Sequence, residues 1–264
     1  MKVALIQSAL AWGRVDENLE NFTRKLSIPL ACDLILLPEM FVSGCMMVKR
    51  SQEIAEAEKK EVAARFADVR QTMLTWARQQ NALIMGSTVY EGEGHYYNRL
   101  IAAFPDGRCL YYDKRHCFRM GGENEHFSPG TKQLVFEFRG VRIAPFICYD
   151  LRFPVWSRNL QAYDLAVYVA NWPESRRDVW NSLLKARAIE NQAFVAGVNC
   201  VGTDLNGLLY AGDSCVWDAK GKAVATTTEF QEEIVIADFD IAGLYNFRDK
   251  FPVLEDRDTF QLEI

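Results

Sequence analysis

Three residues that could act together in catalysis each follow an apolar segment typical of a buried strand. Glu39 follows DLILLP, Lys114 follows CLYYD and Cys148 follows VRIAPFI. Taken singly, a charged residue at such a position is usually solvated, and a cysteine there usually belongs to the core. Ligands bind beyond the carboxyl ends of parallel strands, so the three residues are predicted to converge on one site.

A carboxylate, a cation and a thiol in one site indicate acyl transfer at a carbon–nitrogen bond. A cysteine attacks as the thiolate, so Cys148 needs a neighbouring group that removes its proton. The sequence holds three histidines, and all of them precede Cys148. Glu39 is therefore predicted to be the base. Lys114 and the backbone N–H of Tyr149 are predicted to stabilise the oxyanion of a tetrahedral intermediate.

Twelve short apolar segments indicate two packed sheets, because an ordinary single sheet contains fewer strands. Two pairs of segments are predicted to form hairpins that turn at Asp106-Gly107 and Lys220-Gly221. The segments are KVALIQS, CDLILL, NALIMGS, NRLIAAF, CLYYDK, QLVFEF, VRIAPFI, DLAVYVA, AFVAGVN, SCVWD, KAVATTT and EIVIADF.

Helical patterns separate several of these segments. Helices are predicted over 16–26, 56–80 and 176–191, and the second has an apolar face suited to covering a sheet. That face consists of Val62, Phe66, Val69, Met73, Leu74 and Trp76. No linker or tandem repeat interrupts the chain. Residues 1–264 are therefore predicted to form one α/β domain with two mixed sheets sandwiched between helices.

Composition excludes several classes of protein. A net charge of −5 and a pI near 5.4 argue against nucleic acid as a partner. No apolar run is long enough to span a membrane, so a soluble protein is expected. Seven cysteines without a disulfide-framework spacing predict a reducing, cytoplasmic location. The absence of C-x2-C pairs argues against a structural metal, and no cofactor is predicted.

Four motifs carry a resemblance to a known family. LPEMF, YDKRH, CYDLRFPVW and NWP occur in an order and spacing that resemble the nitrilase superfamily of carbon–nitrogen hydrolases, in particular its omega-amidase-like branch. The resemblance extends from VALIQ to KFP. It implies a catalytic triad of Glu39, Lys114 and Cys148. It also implies a four-layer αββα sandwich that forms a homodimer through the helices covering its sheets.

The same resemblance implies a second active-site glutamate in the loop after the lysine. The segment GGENEHFSPG offers Glu123 and Glu125, and the spacing to SPG favours Glu123. Its implied role is to hold Lys114 and to assist proton transfer to the leaving ammonia. An exposed loop glutamate is also commonly just solvated, so both residues stay open as candidates.

The resemblance implies omega-amides of small 2-oxo dicarboxylic acids, such as 2-oxoglutaramate, as substrates. A guanidinium could bind the substrate carboxylate through two hydrogen bonds. Five arginines lie near the motifs: Arg115, Arg119, Arg152, Arg176 and Arg177. Arg176 is the first candidate for this contact and Arg119 the second. Phe118, Tyr149 and Trp172 are predicted to wall the substrate pocket, although aromatic residues more often fill a core.

The sequence also bears on alternative functions. Nitrilases proper have Trp-Glu after the nucleophile, whereas this chain has Tyr149-Asp150, which disfavours nitrile hydrolysis. Hydrolysis of N-carbamoyl compounds or simple aliphatic amides shares the triad and stays open. A non-catalytic thiol sensor built on Cys148 belongs to a different class. It predicts a damaged triad or an accessible resolving cysteine, and the intact set of Glu39, Lys114 and Cys148 argues against it.

Overall fold

A computed structural model describes residues 1–45 and 52–263 of the chain. The strands within these ranges are β1 Lys2–Gln7, β2 Leu34–Leu36, β3 Leu83–Gly92, β4 His95–Ala103, β5 Cys109–Asp113, β6 Phe136–Phe138, β7 Val141–Ile147, β8 Leu165–Ala170, β9 Phe194–Asn199, β10 Val201–Thr203, β11 Leu209–Ala211, β12 Cys215–Trp217, β13 Ala223–Thr226 and β14 Glu233–Asp238. The α-helices are α1 Val15–Lys25, α2 Gln52–Ala64, α3 Phe66–Gln80, α4 Glu123–His126, α5 Arg177–Asn191 and α6 Ile241–Lys250.

The strands form two six-stranded mixed sheets and one small ladder within the described part of the chain. The first sheet has the order β14-β1-β2-β3-β4-β5, with β2 parallel to both of its neighbours. The second has the order β13-β12-β9-β8-β7-β6, with β7, β8 and β9 parallel. The small ladder pairs β10 with β11. The parallel strands direct their carboxyl ends toward the functional site described below.

Alternation along the strands separates two apolar layers. On β1, Val3 and Leu5 belong to the core between the sheets, whereas Ala4 and Ile6 pack in the layer formed with α1 and α3. Helix α5 covers the second sheet and packs through residues such as Trp180. Strand β8 is buried at every position, as expected for a parallel strand covered on both faces. The prediction of two mixed sheets covered by helices is confirmed.

All twelve apolar segments contain strands, and both predicted hairpins form. Gly107 and Gly221 have φ values of +94° and +75° in the two turns, a conformation that glycine adopts without steric cost. Strands β10 and β11 were not predicted. Each contains only three residues, too few for a clear strand pattern, and the two strands pair with each other.

The prediction of one helix over 56–80 is wrong, because helix α2 ends at Ala64 and α3 begins at Phe66. No glycine or proline marks the break in the sequence. At the junction, the Arg65 N–H bonds to the Val62 carbonyl, three residues back, so the helical ladder tightens. The Arg65 side chain pairs with Asp16 on α1 and with Asp68 on α3. The contact with Asp16 joins residues 49 positions apart and is therefore absent from any local sequence pattern.

Candidate active site

One cavity of about 200 Å³ collects residues from the strand ends of both sheets. Glu39 lies three residues beyond β2, Lys114 directly follows β5, and Cys148 directly follows β7. All three line this cavity. Strands β2 and β5 belong to the first sheet and β7 to the second. Packing of the two sheets therefore brings together three residues that are far apart in the chain.

Lys114 is the centre of a buried charge cluster. Its Nζ donates to Glu39 Oε1 at 2.8 Å and to both carboxylate oxygens of Glu123 at 2.9 and 2.8 Å. Each of the three residues is 3% exposed or less. Buried charges are retained only when they are paired and hydrogen-bonded, and here one ammonium group serves two carboxylates. The cluster therefore fixes the positions of all three groups.

Asn98, on β4, is a member of this cluster that sequence reasoning missed. Its Nδ2 donates to Glu39 Oε1 at 2.8 Å and lies 3.4 Å from Glu123 Oε1. The other oxygen of Glu39, Oε2, accepts the backbone N–H of Asn171 at 2.9 Å. The available signal was an asparagine at the start of the apolar segment NRLIAAF, since a buried amide requires polar partners.

The two candidate glutamates of the loop have different environments. Glu123 begins α4, is buried, and accepts the backbone N–H of Phe118 at 2.6 Å in addition to its bonds from Lys114. Glu125 is exposed. Gly122 precedes the short helix with φ of +76°, a conformation that glycine adopts readily and that starts the turn bringing Glu123 inward. The structure places Glu123, and not Glu125, against Lys114.

Cys148 occupies a sharp turn between β7 and the 3₁₀ helix Cys148–Arg152. Its φ is +42°, which is strained for a residue with a side chain. Asp150 holds the turn from inside: Oδ2 accepts the Ile147 N–H at 3.0 Å and the Tyr112 hydroxyl at 2.7 Å, and Oδ1 accepts the His116 N–H at 2.9 Å. These bonds hold the strained turn that presents the Cys148 sulfur to the cavity.

Burial and charge set the protonation of the reacting groups. Burial raises the pKa of Cys148 well above its ordinary value of 9.0, and the negative charge of Glu39 raises it further. The resting residue is therefore a thiol. A base must therefore remove the proton as the sulfur attacks, which is the role predicted for Glu39.

Burial acts in opposite directions on the pKa values of Lys114 and Glu123. Burial by itself lowers the pKa of Lys114, but the charges of Glu123 and Glu39 outweigh it and leave the pKa well above 10.5. Lys114 therefore stays cationic at neutral pH. Burial raises the pKa of Glu123 above its ordinary 4.5, against the attraction of Lys114.

Most of the predicted substrate-binding residues line the cavity. Phe118, Tyr149, Trp172 and Arg176 are among its walls. Arg119 is exposed in the 3₁₀ turn Arg119–Gly121 and is not among the lining residues. The second candidate for the carboxylate contact is therefore not brought to the cavity.

Two arginines reach the cavity with their guanidinium groups beside aromatic rings. The Cζ atom of Arg152 lies 5.1 Å from the centre of the Trp172 ring, and that of Arg176 lies 5.4 Å from the centre of the Phe118 ring. Both side chains line the cavity. By contrast, Arg177 is engaged by Asp213 at 2.7 Å and by Glu229. Among these three arginines, Arg152 and Arg176 are the cations presented to a bound molecule.

The residue set supports nucleophilic chemistry by its side chains. Within residues 1–45 and 52–263, no group of three or more His, Cys, Asp or Glu side chains is placed to hold a metal ion. The same ranges contain no helix that is both long and apolar enough to cross a membrane. What the cavity presents is a thiol, a buried carboxylate and an ammonium group, which is the set required to form and hydrolyse a thioester.

This fold and this residue set are suited to a hydrolase that acts on carbon–nitrogen bonds. The carbon-nitrogen hydrolase family model matches residues 2–249. The chain therefore belongs to the carbon–nitrogen hydrolase family.

Two relatives show where in the family the chain lies. It is 45% identical over 262 residues to omega-amidase YafV of Escherichia coli strain K12, covering 99% of this chain and 98% of the relative. It is 30% identical over 262 residues to 2-oxoglutaramate amidase of Bacillus subtilis strain 168, covering 96% of each.

Solved structures confirm the architecture. XC1258 from Xanthomonas campestris, a CN-hydrolase superfamily protein with an arsenic adduct in its active site, has a TM-score of 0.92 and 38% identity over 100% of this chain and 99% of that one. Nit3 of Saccharomyces cerevisiae, a member of the nitrilase superfamily, has a TM-score of 0.82 at 23% identity over 96% and 94% of the two chains. The second comparison bears on the fold alone.

Proposed function

We propose that this protein is an omega-amidase that hydrolyses the omega-amide of small 2-oxo dicarboxylic acid monoamides to the dicarboxylic acid and ammonia. One observation carries the proposal: the cluster of Glu39, Lys114 and Glu123 lies in the same cavity as Cys148 and two arginines. The names of the two relatives agree with it, since one is an omega-amidase and the other a 2-oxoglutaramate amidase.

Acylation begins with attack of Cys148 Sγ on the amide carbon. Glu39 accepts the thiol proton as the carbon–sulfur bond forms, because the buried thiol is protonated at rest. The amide oxygen becomes an oxyanion, which Lys114 Nζ and the backbone N–H of Tyr149 stabilise. Protonated Glu39 then returns the proton to the amide nitrogen, the carbon–nitrogen bond breaks, and ammonia leaves.

Deacylation repeats the same proton transfers with water. Glu39 removes a proton from water as its oxygen attacks the thioester carbon, and the second oxyanion is again held by Lys114. The carbon–sulfur bond then breaks, and the sulfur regains its proton from Glu39. The acid product is released and the resting thiol is restored.

Glu123 keeps the Lys114 ammonium in position through two hydrogen bonds. During acylation it also assists proton transfer to the leaving ammonia.

The far end of the substrate carries a carboxylate, for which Arg152 and Arg176 are the proposed partners. Both line the cavity, and the aromatic rings beside them restrict their motion. A guanidinium that is held in place loses less conformational entropy when it binds a carboxylate. Phe118, Tyr149 and Trp172 then form apolar walls around the carbon chain of the substrate.

The test is ammonia release from 2-oxoglutaramate compared with pentanamide, which has the same number of carbons but no oxo-acid group. Cys148→Ala is the inactive control. We expect a preference for the charged amide of about ten- to a hundredfold, the range for a charge-assisted contact. Arg152→Ala and Arg176→Ala should reduce that preference, whereas Arg119→Ala, outside the cavity, should retain it. Equal rates on both amides would contradict the proposed substrate class.

Other activities of the family are separate arms of the same assay. Two further substrates are an N-carbamoyl amino acid and the omega-nitrile that corresponds to 2-oxoglutaramate. Each differs from the amide in its reacting group. Turnover of either one at a higher kcat/KM than the amide would favour the corresponding alternative. Membership of an enzyme family argues against the non-catalytic thiol sensor, and loss of ammonia release in Cys148→Ala would separate the two classes directly.

We also infer that the chain acts as a single domain, in the cytoplasm and as a homodimer. Free thiols suit a reducing compartment, and they include Cys32, Cys109, Cys117, Cys148, Cys200 and Cys215. Exposed apolar side chains on α6 and the segment after it, including Tyr245, Phe251 and Phe260, are suited to an interface. Sedimentation velocity on the full chain tests the dimer, and a monomer at micromolar concentration would contradict it.

A further inference from the structure

Asn171 carries a polar side chain that the mechanism does not yet use. It directly follows β8, lines the cavity, and is only 7% exposed. Neither Oδ1 nor Nδ2 of this side chain has a hydrogen-bond partner among the described residues. A buried amide costs free energy when its donor and acceptor are both unsatisfied. An amide of this kind in the wall of a cavity indicates that a bound molecule supplies the missing partners.

The backbone of Asn171 contacts both the nucleophile and the base. Its N–H donates to Glu39 Oε2 at 2.9 Å, and its carbonyl oxygen lies 4.0 Å from Cys148 Sγ. The side chain is therefore attached at the end of the cavity where the scissile bond must lie. The groups of the substrate that reach this end are the amide carbonyl and the amide NH₂.

The amide NH₂ requires hydrogen-bond acceptors that are not already occupied. Glu39 Oε1 accepts from Lys114 and Asn98, and Glu39 Oε2 accepts from the Asn171 backbone. Both oxygens of Glu123 accept from Lys114. The Asn171 side-chain oxygen has no such bond within the described part of the chain. It is therefore the acceptor best able to bind an N–H of the substrate without displacing an existing hydrogen bond.

We propose that Asn171 is a specificity-determining residue that binds the scissile primary amide. Its Oδ1 accepts one N–H of the substrate amide. This inference rests on the proposed amidase function and adds a recognition contact to it. The contact selects amides over esters, because an ester has the same acyl carbonyl but no N–H on its leaving group.

The test compares Asn171→Leu with the unchanged protein on two substrates of one acid, the omega-amide and the omega-methyl ester of 2-oxoglutarate. Leucine has nearly the shape of asparagine but neither donates nor accepts a hydrogen bond. The ratio kcat/KM is the measured quantity, because it covers the steps up to formation of the thioester. We expect kcat/KM for the amide to fall about ten- to a hundredfold, and that for the ester to change less than about threefold.

A second variant and a thiol probe keep the result interpretable. Asn171→Ser retains a donor and an acceptor, so it should recover part of the amide preference. If Asn171→Leu folds poorly, Asn171→Ser still provides a test of the contact. Methyl methanethiosulfonate, which lacks an amide, should label Cys148 at an unchanged rate in both variants. Equal losses on amide and ester, an unchanged amide rate, or slower labelling in proportion to the lost activity would each overturn the proposal.

Failure of the proposed function is distinguishable from failure of this inference. If the unchanged protein does not hydrolyse 2-oxoglutaramate, the proposed substrate class is wrong. The comparison is then made with pentanamide and methyl pentanoate, or with the amide and methyl ester of whichever acid the protein accepts. The predicted loss of amide-over-ester preference in Asn171→Leu is the same, since it depends on the leaving group and not on the acyl chain.

Discussion

Tyr112 donates a hydrogen bond of 2.7 Å from its hydroxyl group to Asp150 Oδ2, and both side chains are buried. Trp156 Nε1 donates in turn to the Tyr112 hydroxyl oxygen at 2.9 Å. Tyr112 lies on β5, two residues before Lys114, and Asp150 lies two residues after Cys148. This contact therefore joins the strand that carries the cation to the turn that carries the nucleophile.

Tyr112→Phe should reduce both stability and turnover. The change removes the bond to Asp150 and leaves the Trp156 N–H without its acceptor, at a cost of about 1 to 3 kcal/mol in the free energy of unfolding. Urea unfolding and amide hydrolysis are the measurements, with Tyr97→Phe, a half-buried ring on β4, as the control. A Tyr112→Phe protein with unchanged unfolding free energy and unchanged kcat would show that the contact does not support the turn.

The positive φ of Cys148 predicts an unusual order of stability among inactive variants. At a φ of +42°, Cys148→Gly should be more stable than Cys148→Ala by about 1 kcal/mol, because glycine has no β-carbon to strain. At Ala144, in the strand β7, a change to glycine should instead destabilise the protein. Urea unfolding midpoints measure both effects. An alanine variant at 148 that matched or exceeded the glycine variant would contradict the strained turn.

Glu123→Gln and Glu125→Gln form a matched pair. Glu123 is buried against Lys114, so its neutralisation should lower kcat by about a hundredfold or more, the scale for losing a group that organises proton transfer or oxyanion stabilisation. Glu125 is exposed, and its change should leave kcat unaltered. Steady-state ammonia release measures both. The reverse order would transfer the role of second active-site glutamate to Glu125.

Stability should fall in alkaline solution, and Cys148 should contribute to the fall. Burial raises the pKa of its thiol above the ordinary 9.0 in the folded state, so the unfolded chain loses this proton first as the pH rises. The contribution is fully present below pH 9.0 and decreases above it, by up to about 1.4 kcal/mol per pH unit.

Cys148→Ser removes this titration while keeping a similar side chain. Urea unfolding of both proteins between pH 8 and pH 10 should therefore show a shallower decline for the serine variant. Within that range Lys114 stays protonated in the folded state, where its pKa is raised, so it does not obscure the comparison. Parallel curves for the two proteins would contradict a buried, protonated thiol.

Much of the site could be predicted because strand ends are visible in the sequence. Glu39, Lys114 and Cys148 follow apolar segments, and a rule about sheet edges is enough to place them in one cleft. Asn98 could not be assigned in this way, because it begins an apolar segment and does not follow one. A buried asparagine has a role only through its partners, and those of Asn98 lie 59 and 25 residues away in the chain.

Local patterns by themselves determined the twelve main strands, the hairpin turns and the type of chemistry, because alternation, turn residues and strand exits are properties of neighbouring positions. Tertiary packing decided the break at Arg65, the outward position of Arg119 and the protonated state of Cys148. An ion pair across helices, the direction of a loop side chain and the burial of a thiol all depend on groups remote in sequence. Such contacts form only in the folded tertiary structure.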